Sequence, residues 1–567
     1  MTIFQWILFF LALQLIHFGG TWRLYQKAGK QAWEALIPVY NAVILMDIIR
    51  RPRWWVILLF IPIINLMMFP VIWVETLRSF GKNSSFDTAL GLLTFGLYTY
   101  SINYNNNVSY IENRSLVPRT WFGEWINALL FAIIAATLVH NYFIQPYIIP
   151  TGSLEKTLLI GDFLFVSKFH YGARTPMTAV AFPMVHDTLP IVKSKSYLNF
   201  PQLPYFRLPG FKSIERNEIV VFSWPTDTVR RFFVKEKGVR KPIDKKSNYV
   251  KRCVGLPGDT LSIIDGFVHI NGKQSILPDR AKTQYTFNAY NAKGVSSRKL
   301  IEEGLRNFDR KYRIENITQE TYNAILPYIR GRLTNDIDNF IVLAPAAGLP
   351  PKLIGQLRLK VKEIIEAKKE LTLTINEAKS IEKKGLFDSL VRKVSRVKTP
   401  NTTFFPNSLP FDWNEDNFGP IVLPKAGNTV KLDVNNLPLY KKIIREYEGN
   451  RLERNGETIL INGEPSTQYT FQQDYYWMMG DNRHRSEDSR FWGFVPENHI
   501  VGKPVLIWFS IDGINDGIRN WKIRWDRIMT TVKGEGKPIS FFPYFLITVV
   551  LWQIISFIRK RKKSAAA

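Results

Sequence analysis

A serine, a lysine and a run of mixed charge, far apart in a chain of 567 residues, carry the residue types best suited to chemistry. The serine is Ser153, in residues 145–166 (QPYIIPTGSLEKTLLIGDFLFV). Pro146 and Pro150 disfavour helix there, and Gly152 frees the backbone beside the hydroxyl. Serines in turns mostly bond their local backbone, so this feature alone is weak. The lysine is Lys251, in residues 248–263 (NYVKRCVGLPGDTLSI), which read as strand, Gly/Pro turn and strand. Alternation puts Lys251 on one face with Tyr249 and Cys253, with Val250, Arg252 and Val254 on the other. A strand lysine ordinarily reaches solvent. Buried beside a serine it loses its proton more readily, and the neutral amine can then take the hydroxyl proton. The mixed run is 480–496 (GDNRHRSEDSRFWGFVP), which alone reads as a structural loop of paired Asp and Arg. Taken together, the three suit hydrolysis through an activated serine.

Apolar runs would position that serine. Residues 3–18 lack formal charge and are followed, not preceded, by Arg23, Lys27 and Lys30, so they read as an uncleaved anchor rather than a cleavable leader. Further runs lie at 54–75, 88–104, 125–144 and 541–558, giving an expectation of five spans. Ser153 follows the fourth directly, which suits a membrane-tethered substrate. The net charge of +27 could mean nucleic acid, but much of it abuts apolar runs, at Arg50, Arg51 and Arg53 and again at Arg559 to Lys563. That pattern favours a lipid bilayer as partner and no nucleic acid, and the positive-inside rule puts both basic flanks in the cytoplasm with 146–540 outside. His17 and His140 within spans read as interfacial or bundle-facing packing. Residues 31–50 look amphipathic around Pro38. A single cysteine, Cys253, excludes an intrachain disulfide and a Cys-cluster metal site, and it reads as a buried small hydrophobe.

In this order the three stretches resemble the signature boxes of the type I signal peptidases, or leader peptidases, serine proteases with a Ser/Lys dyad. Residues 216–225 (RNEIVVFSWP) resemble the strand that family places between serine and lysine. The resemblance covers about 146–275 and 455–512. It implies Ser153 as nucleophile and Lys251 as general base, an oxyanion hole from the Ser153 N–H and the Thr151 hydroxyl, and Ser486 orienting the Lys251 ammonium. The pairs Arg252 with Asp481 and Asp488 with Arg490 would brace the site. Tyr147, Ile149, Leu154, Leu158, Tyr249 and Val250 would line shallow apolar pockets for the small residues of an A-x-A-like sequence. This sequence departs from the family's pattern at Leu154 (usually Met), Lys156 (usually Pro) and Thr151 (commonly Ser). Lys156, three residues after Ser153, mimics a Ser-x-x-Lys motif, but the family's base is on the later strand. A histidine triad drawing on His170, His186, His269, His484 or His499 is the competing mechanism, and none of these stands in such a motif.

The resemblance implies a mainly β exoplasmic catalytic domain with an inserted α/β cap, anchored by about five helices, without metal or cofactor. The expected division is 1–120 (membrane region), 121–145 (anchor), 146–275 and 455–540 (catalytic), 276–454 (inserted cap) and 541–567 (terminal helix and basic tail). Within the insertion, Thr318 with Glu320 reads as a helix start, and the apolar spacing over 351–384 predicts an amphipathic helix. The implied function is removal of signal peptides from exported preproteins at a bacterial plasma membrane, with the translocation machinery as a further partner. Alternatives are a catalytically silent membrane receptor or assembly factor of the same fold, or a Ser/Lys protease with few substrates.

Overall fold

The computed structural model describes residues 2–118, 120–227, 241–334, 336, 340–409 and 411–565. Its main sheet is antiparallel and runs Ile144–Ile148, Asp162–Ser167, Ile500–Asp512, Ile219–Ser223, Asn248–Gly255, Tyr475–Met479, Val495–Pro496. The unbroken apolar runs IVVFS and YYWMM become strands buried at every position, as a sheet covered on both faces requires. One face packs Ile149, Leu154, Leu158, Leu164 and Val221, and the other packs Phe222, Cys253, Met478 and Trp492. Cys253 is thus the buried free thiol its surroundings predicted. Register shifts at Phe163/Leu164 and Phe165/Val166 bend the sheet. The curl brings the end of Ile144–Ile148 back to the start of Asn248–Gly255, where the Asn248 side-chain amide donates to the Tyr147 hydroxyl at 3.3 Å.

A second sheet, Phe418–Val422, Thr260–Ile264, Phe267–Ile270 and Lys273–Gln274, shares one core with Phe405, Leu437, Ile443 and Trp477. Two further small sheets lie between 284 and 392: Lys368–Thr374, Gln284–Tyr290 and Ser389–Arg392, and Gly331–Arg332, Phe340–Pro345, Asp309–Glu315 and Lys360–Ile364. Thr318 caps a helix, Gln319–Ile325, as expected. The long helix expected over 351–384 is not formed. A short helix, Pro351–Gln356, stops before Arg358, whose φ is 49°, and two strands precede the helix Ile375–Lys383. Val361 and Ile364 lie on opposite faces of the strand Lys360–Ile364, which Asp309–Glu315 is there to pair with.

Among the described residues three helices are long and apolar enough to cross a membrane: Ile3–Lys27, Trp121–Phe143 and Phe542–Arg559. The other two expected spans are interrupted. Residues 54–75 break at Pro62 and Ile63 (φ 71°) into Trp55–Leu59 and Ile64–Ser79, and 88–104 break at Phe95 and Gly96 (φ 51° and 83°) into Ser85–Leu93 and Tyr98–Tyr104. Residues 31–50 form a turn, Ala32–Ala35, and a helix, Tyr40–Ile48. These short helices share a core of Leu24, Tyr25, Leu45, Leu77 and Ile102, and buried Glu75 is paired with Arg51 and Arg114. In the basic tail the side chains of Lys560, Lys562 and Lys563, and residues 566–567 altogether, lie outside the described residues.

Candidate active site

Ser153 stands in one tight turn, Gly152–Leu154, just after the edge strand Ile144–Ile148. Two anchors fix the turn. Leu154 and Leu158 are driven into the core, each 1% exposed, and the Leu158 N–H donates to the Leu154 carbonyl at 2.8 Å. From the mixed-charge run, Asn482 donates its backbone N–H to the Ser153 carbonyl (3.0 Å) and its side-chain amide to the Gly152 carbonyl (3.1 Å). Gly480 makes that approach possible, since a Cβ there would lie 2.1 Å from Ser486 Oγ and 2.7 Å from the Ser153 carbonyl oxygen.

Lys251 lies opposite Val220 in the sheet and is 3% exposed. Its Nζ is 2.6 Å from Ser153 Oγ and 5.4 Å from the centre of the Tyr249 ring. Burial pushes the Lys251 pKa down to about 8, against the pull of the Asp488 and Glu487 carboxylates, which favour the ammonium. As an ammonium it donates to the hydroxyl. As an amine it accepts the hydroxyl proton, the geometry a general base requires.

Around this pair the bracing charges are matched. Arg252 makes a two-pronged contact with Asp481 (2.7 and 2.6 Å), which also accepts from the Thr157 hydroxyl (2.6 Å). Arg490 grips Asp488 twice at 2.9 Å, and Asp488 accepts the Gly480 N–H at 3.0 Å. Both carboxyls are held below their usual range by these arginines despite burial.

Other candidates lie differently. Ser486 does not reach Lys251. Its Oγ is buried without a hydrogen-bond partner, and Lys251 Nζ is turned to Ser153. Thr151 is exposed and extended, and its hydroxyl makes no hydrogen bond among the described residues. Tyr147 and Val250 pack half-buried against the cluster holding Ile149, Leu154 and Leu158. Tyr249 faces the opposite side, stacked on Trp224 at 5.1 Å and edge-on to Trp492 at 5.5 Å. Lys156 is turned away, paired with Glu377, and its φ of 68° is one a proline cannot adopt. No histidine bonds Ser153 among the described residues. His484 accepts the Thr286 N–H at 3.0 Å and faces Asp416 at 2.9 Å. Glu415, Asp416 and His484 could offer ligand atoms to a cation, but Asp416 and His484 are already held by these bonds and by the Ser395 N–H.

Sequence reasoning missed Gln284. Its N–H donates to the Asp481 carbonyl (2.8 Å), and its side-chain amide donates to the Glu155 carbonyl (2.7 Å), two residues past the serine. Asn307 in turn donates to the Gln284 side-chain oxygen at 3.1 Å. A glutamine in an alternating strand gives no signal of such a contact before the chain is folded.

A buried lysine on a serine hydroxyl, in a curled β sheet carried by apolar helices, belongs to a membrane-anchored serine endopeptidase. Residues 122–321 and 425–509 match the family described as signal peptidase, peptidase S26, which is half of the chain, and the chain belongs to that family. Residues 33–113 match a family of unknown function, DUF5684. Among similar proteins is a signal peptidase I of Buchnera aphidicola subsp. Acyrthosiphon pisum, 23% identical over 411 residues, covering 72% of this chain and 82% of the relative. Another is a signal peptidase I of Rickettsia massiliae, 30% identical over 163 residues, covering 29% and 48%.

Proposed function

We propose that this chain is a signal peptidase I that cuts preproteins after small residues, with Ser153 as nucleophile and Lys251 as general base. The observation that carries this reading is the 2.6 Å contact between a buried lysine and the serine hydroxyl. Neutral Lys251 takes the proton as Ser153 Oγ attacks the scissile carbonyl. The resulting oxyanion is met by the Ser153 N–H and by the Thr151 hydroxyl, which is free to turn inward. The tetrahedral intermediate expels the new N-terminal amine, which takes the proton from Lys251. Water then attacks the acyl-serine, giving its proton to Lys251; the second tetrahedral intermediate expels Ser153 Oγ, which takes that proton back, and the signal peptide leaves as a carboxylic acid. In the ammonium stage a swing of the Lys251 side chain away from Ser153 would bring it to the unpartnered Ser486 hydroxyl, which would then accept from it.

Among the described residues, strand Ile144–Ile148 is paired on one side only, with Asp162–Ser167, so an extended substrate can add along its open edge. Tyr147, Ile149 and Val250 bound the space for its side chains. Leu154 and Leu158 set the floor from the core, and Tyr249 acts from beneath Lys251. We read cleavage along this open edge as falling close to the end of the helix Trp121–Phe143, on the exoplasmic side of a bacterial plasma membrane. Residues 276–454 are read as an insertion whose independent part is 284–392, since 405–444 contribute to the core of the second sheet. A role in gripping preproteins or meeting the translocation machinery rests on the size of this insertion and its place in the chain.

The test is cleavage of a model preprotein by the detergent-purified chain and by Ser153→Ala and Lys251→Ala, all checked for folding. Cutting after an A-x-A-like site by the wild type alone is the expected result. Retained cutting by Lys251→Ala would overturn the base assignment, and an inert wild type would overturn the function.

A further inference from the structure

A polar cavity of about 200 Å³, with Tyr147 in its wall, lies where the helix Trp121–Phe143 meets the sheet. Its wall carries three cations, Lys168, Arg174 and Lys245, and one carboxylate, Asp244. That carboxylate is already engaged by the Met177 and Thr178 N–H groups (3.1 and 3.0 Å) and the Thr178 hydroxyl (2.8 Å). Arg174 is spread over the Asn498 carbonyl and the Ser223 hydroxyl (2.9 and 3.2 Å), and Lys245 reaches the Val185 carbonyl at 3.3 Å. These are neutral acceptors. The Lys168 ammonium has no hydrogen bond or ion pair among the described residues, although its backbone N–H is tied to the Phe143 carbonyl at 2.9 Å. Burial, and after it Arg174, pushes the Lys168 pKa down to about 7, so its charged form is held there at a cost. Such a group is stabilised by an anion.

The cavity's position says which anion. Its walls include His140, from the last turns of the membrane helix, and Ile63, from the N-terminal membrane region. Phe182 and Met184, 57% and 52% exposed, stand at its rim. Charge at the centre and apolar side chains at the edge suit a headgroup phosphate with its acyl chains running along the rim. We propose that this cavity binds the phosphate ester of an anionic phospholipid, seating the catalytic sheet on the bilayer. A signal peptide, apolar beyond its cleavage site, gains nothing from three cations.

The experiment is native mass spectrometry of the full chain released from detergent after exchange into phosphatidylglycerol or phosphatidylcholine, with soluble glycerol phosphate as competitor. The chain is expected to retain one phosphatidylglycerol, at least tenfold more strongly than phosphatidylcholine, and to keep it in millimolar glycerol phosphate. Lys168→Gln should lose about tenfold in retention, and Lys168→Arg should keep it. Because Lys168 has no protein partner, its replacement leaves the fold intact, as thermal unfolding will check, and Lys245→Gln gives a second reading. Equal retention by wild type and both Gln variants, or no preference over phosphatidylcholine, would overturn the site. Displacement by glycerol phosphate would overturn the lipid as its source.

Discussion

The Lys251–Ser153 pair can be perturbed without mutation, by pH alone. With the lysine's pKa at about 8, about one molecule in eleven carries the neutral amine at pH 7 and about ten in eleven at pH 9. On this basis kcat/KM for a preprotein should rise about tenfold between those pH values and level off above about pH 9. A lysine at its ordinary value of about 10.4 would instead give a rise of nearly a hundredfold with no plateau in that range. The carboxylate of Glu487 favours the ammonium, so Glu487→Gln should move the midpoint to lower pH while leaving the plateau near its original height. Initial rates measured in detergent from pH 6 to 10, with folding followed by circular dichroism, give the curve. A midpoint at the usual histidine value, or a climb unbroken to pH 10, would refute the reasoning that burial makes Lys251 the base.

The same burial predicts a stability effect. The folded pKa of Lys251 lies below its unfolded value, so the unfolded chain holds the extra proton between about pH 8 and 10.5 and stability rises with pH across that window. Lys251→Met should therefore abolish cleavage yet stabilise the fold by about 3 kcal/mol at pH 7, from a shift of about 2.5 units. Thermal melts should show that gain shrinking to nothing by about pH 10.5, and a gain independent of pH would contradict it. Gly480→Ala forces a methyl to within 2.1 Å of Ser486 Oγ and displaces the Ser153 turn, so kcat should fall by about a hundredfold with KM little changed. Normal turnover would show that the Gly480 contact is dispensable. Gln284→Ala removes the bond that steadies the Glu155 carbonyl, costing kcat about five- to tenfold, on the scale of about 1 kcal/mol per hydrogen bond. Gln284→Glu, which cannot donate that bond, should not restore it.

Much of the site was legible because its chemistry is local in type. Gly152 beside Ser153, the alternation around Lys251 and the Asp and Arg of 480–496 each announce themselves over a few residues. The strand character of 219–223 and 475–479 was equally plain, since a doubly covered strand is apolar at every position. Where pairing with a distant strand or a local break overrode the apolar pattern, the reading failed. Residues 351–384 carry apolar spacing compatible with a helix, and pairing with Asp309–Glu315 decided for strand. Residues 54–75 and 88–104 are apolar enough to span a bilayer, but left-handed residues at Ile63, Phe95 and Gly96 break them into short helices that pack on one another.

By itself, then, the sequence determined the residue types available for hydrolysis, the apolar segments that tie them to a membrane, and the exclusion of an intrachain disulfide or a Cys-cluster metal site by a lone Cys253. Only the tertiary structure decided that Lys251, 98 residues from Ser153, meets it at 2.6 Å while the nearby Lys156 turns to Glu377. It also decided that Gln284 steadies the serine turn and that Lys168 and Lys245 share a cavity with Arg174. The physical reason is that periodicity and turn chemistry act over a few residues, whereas desolvation, charge pairing and the curl of a bulged sheet depend on which distant segments fill the same space.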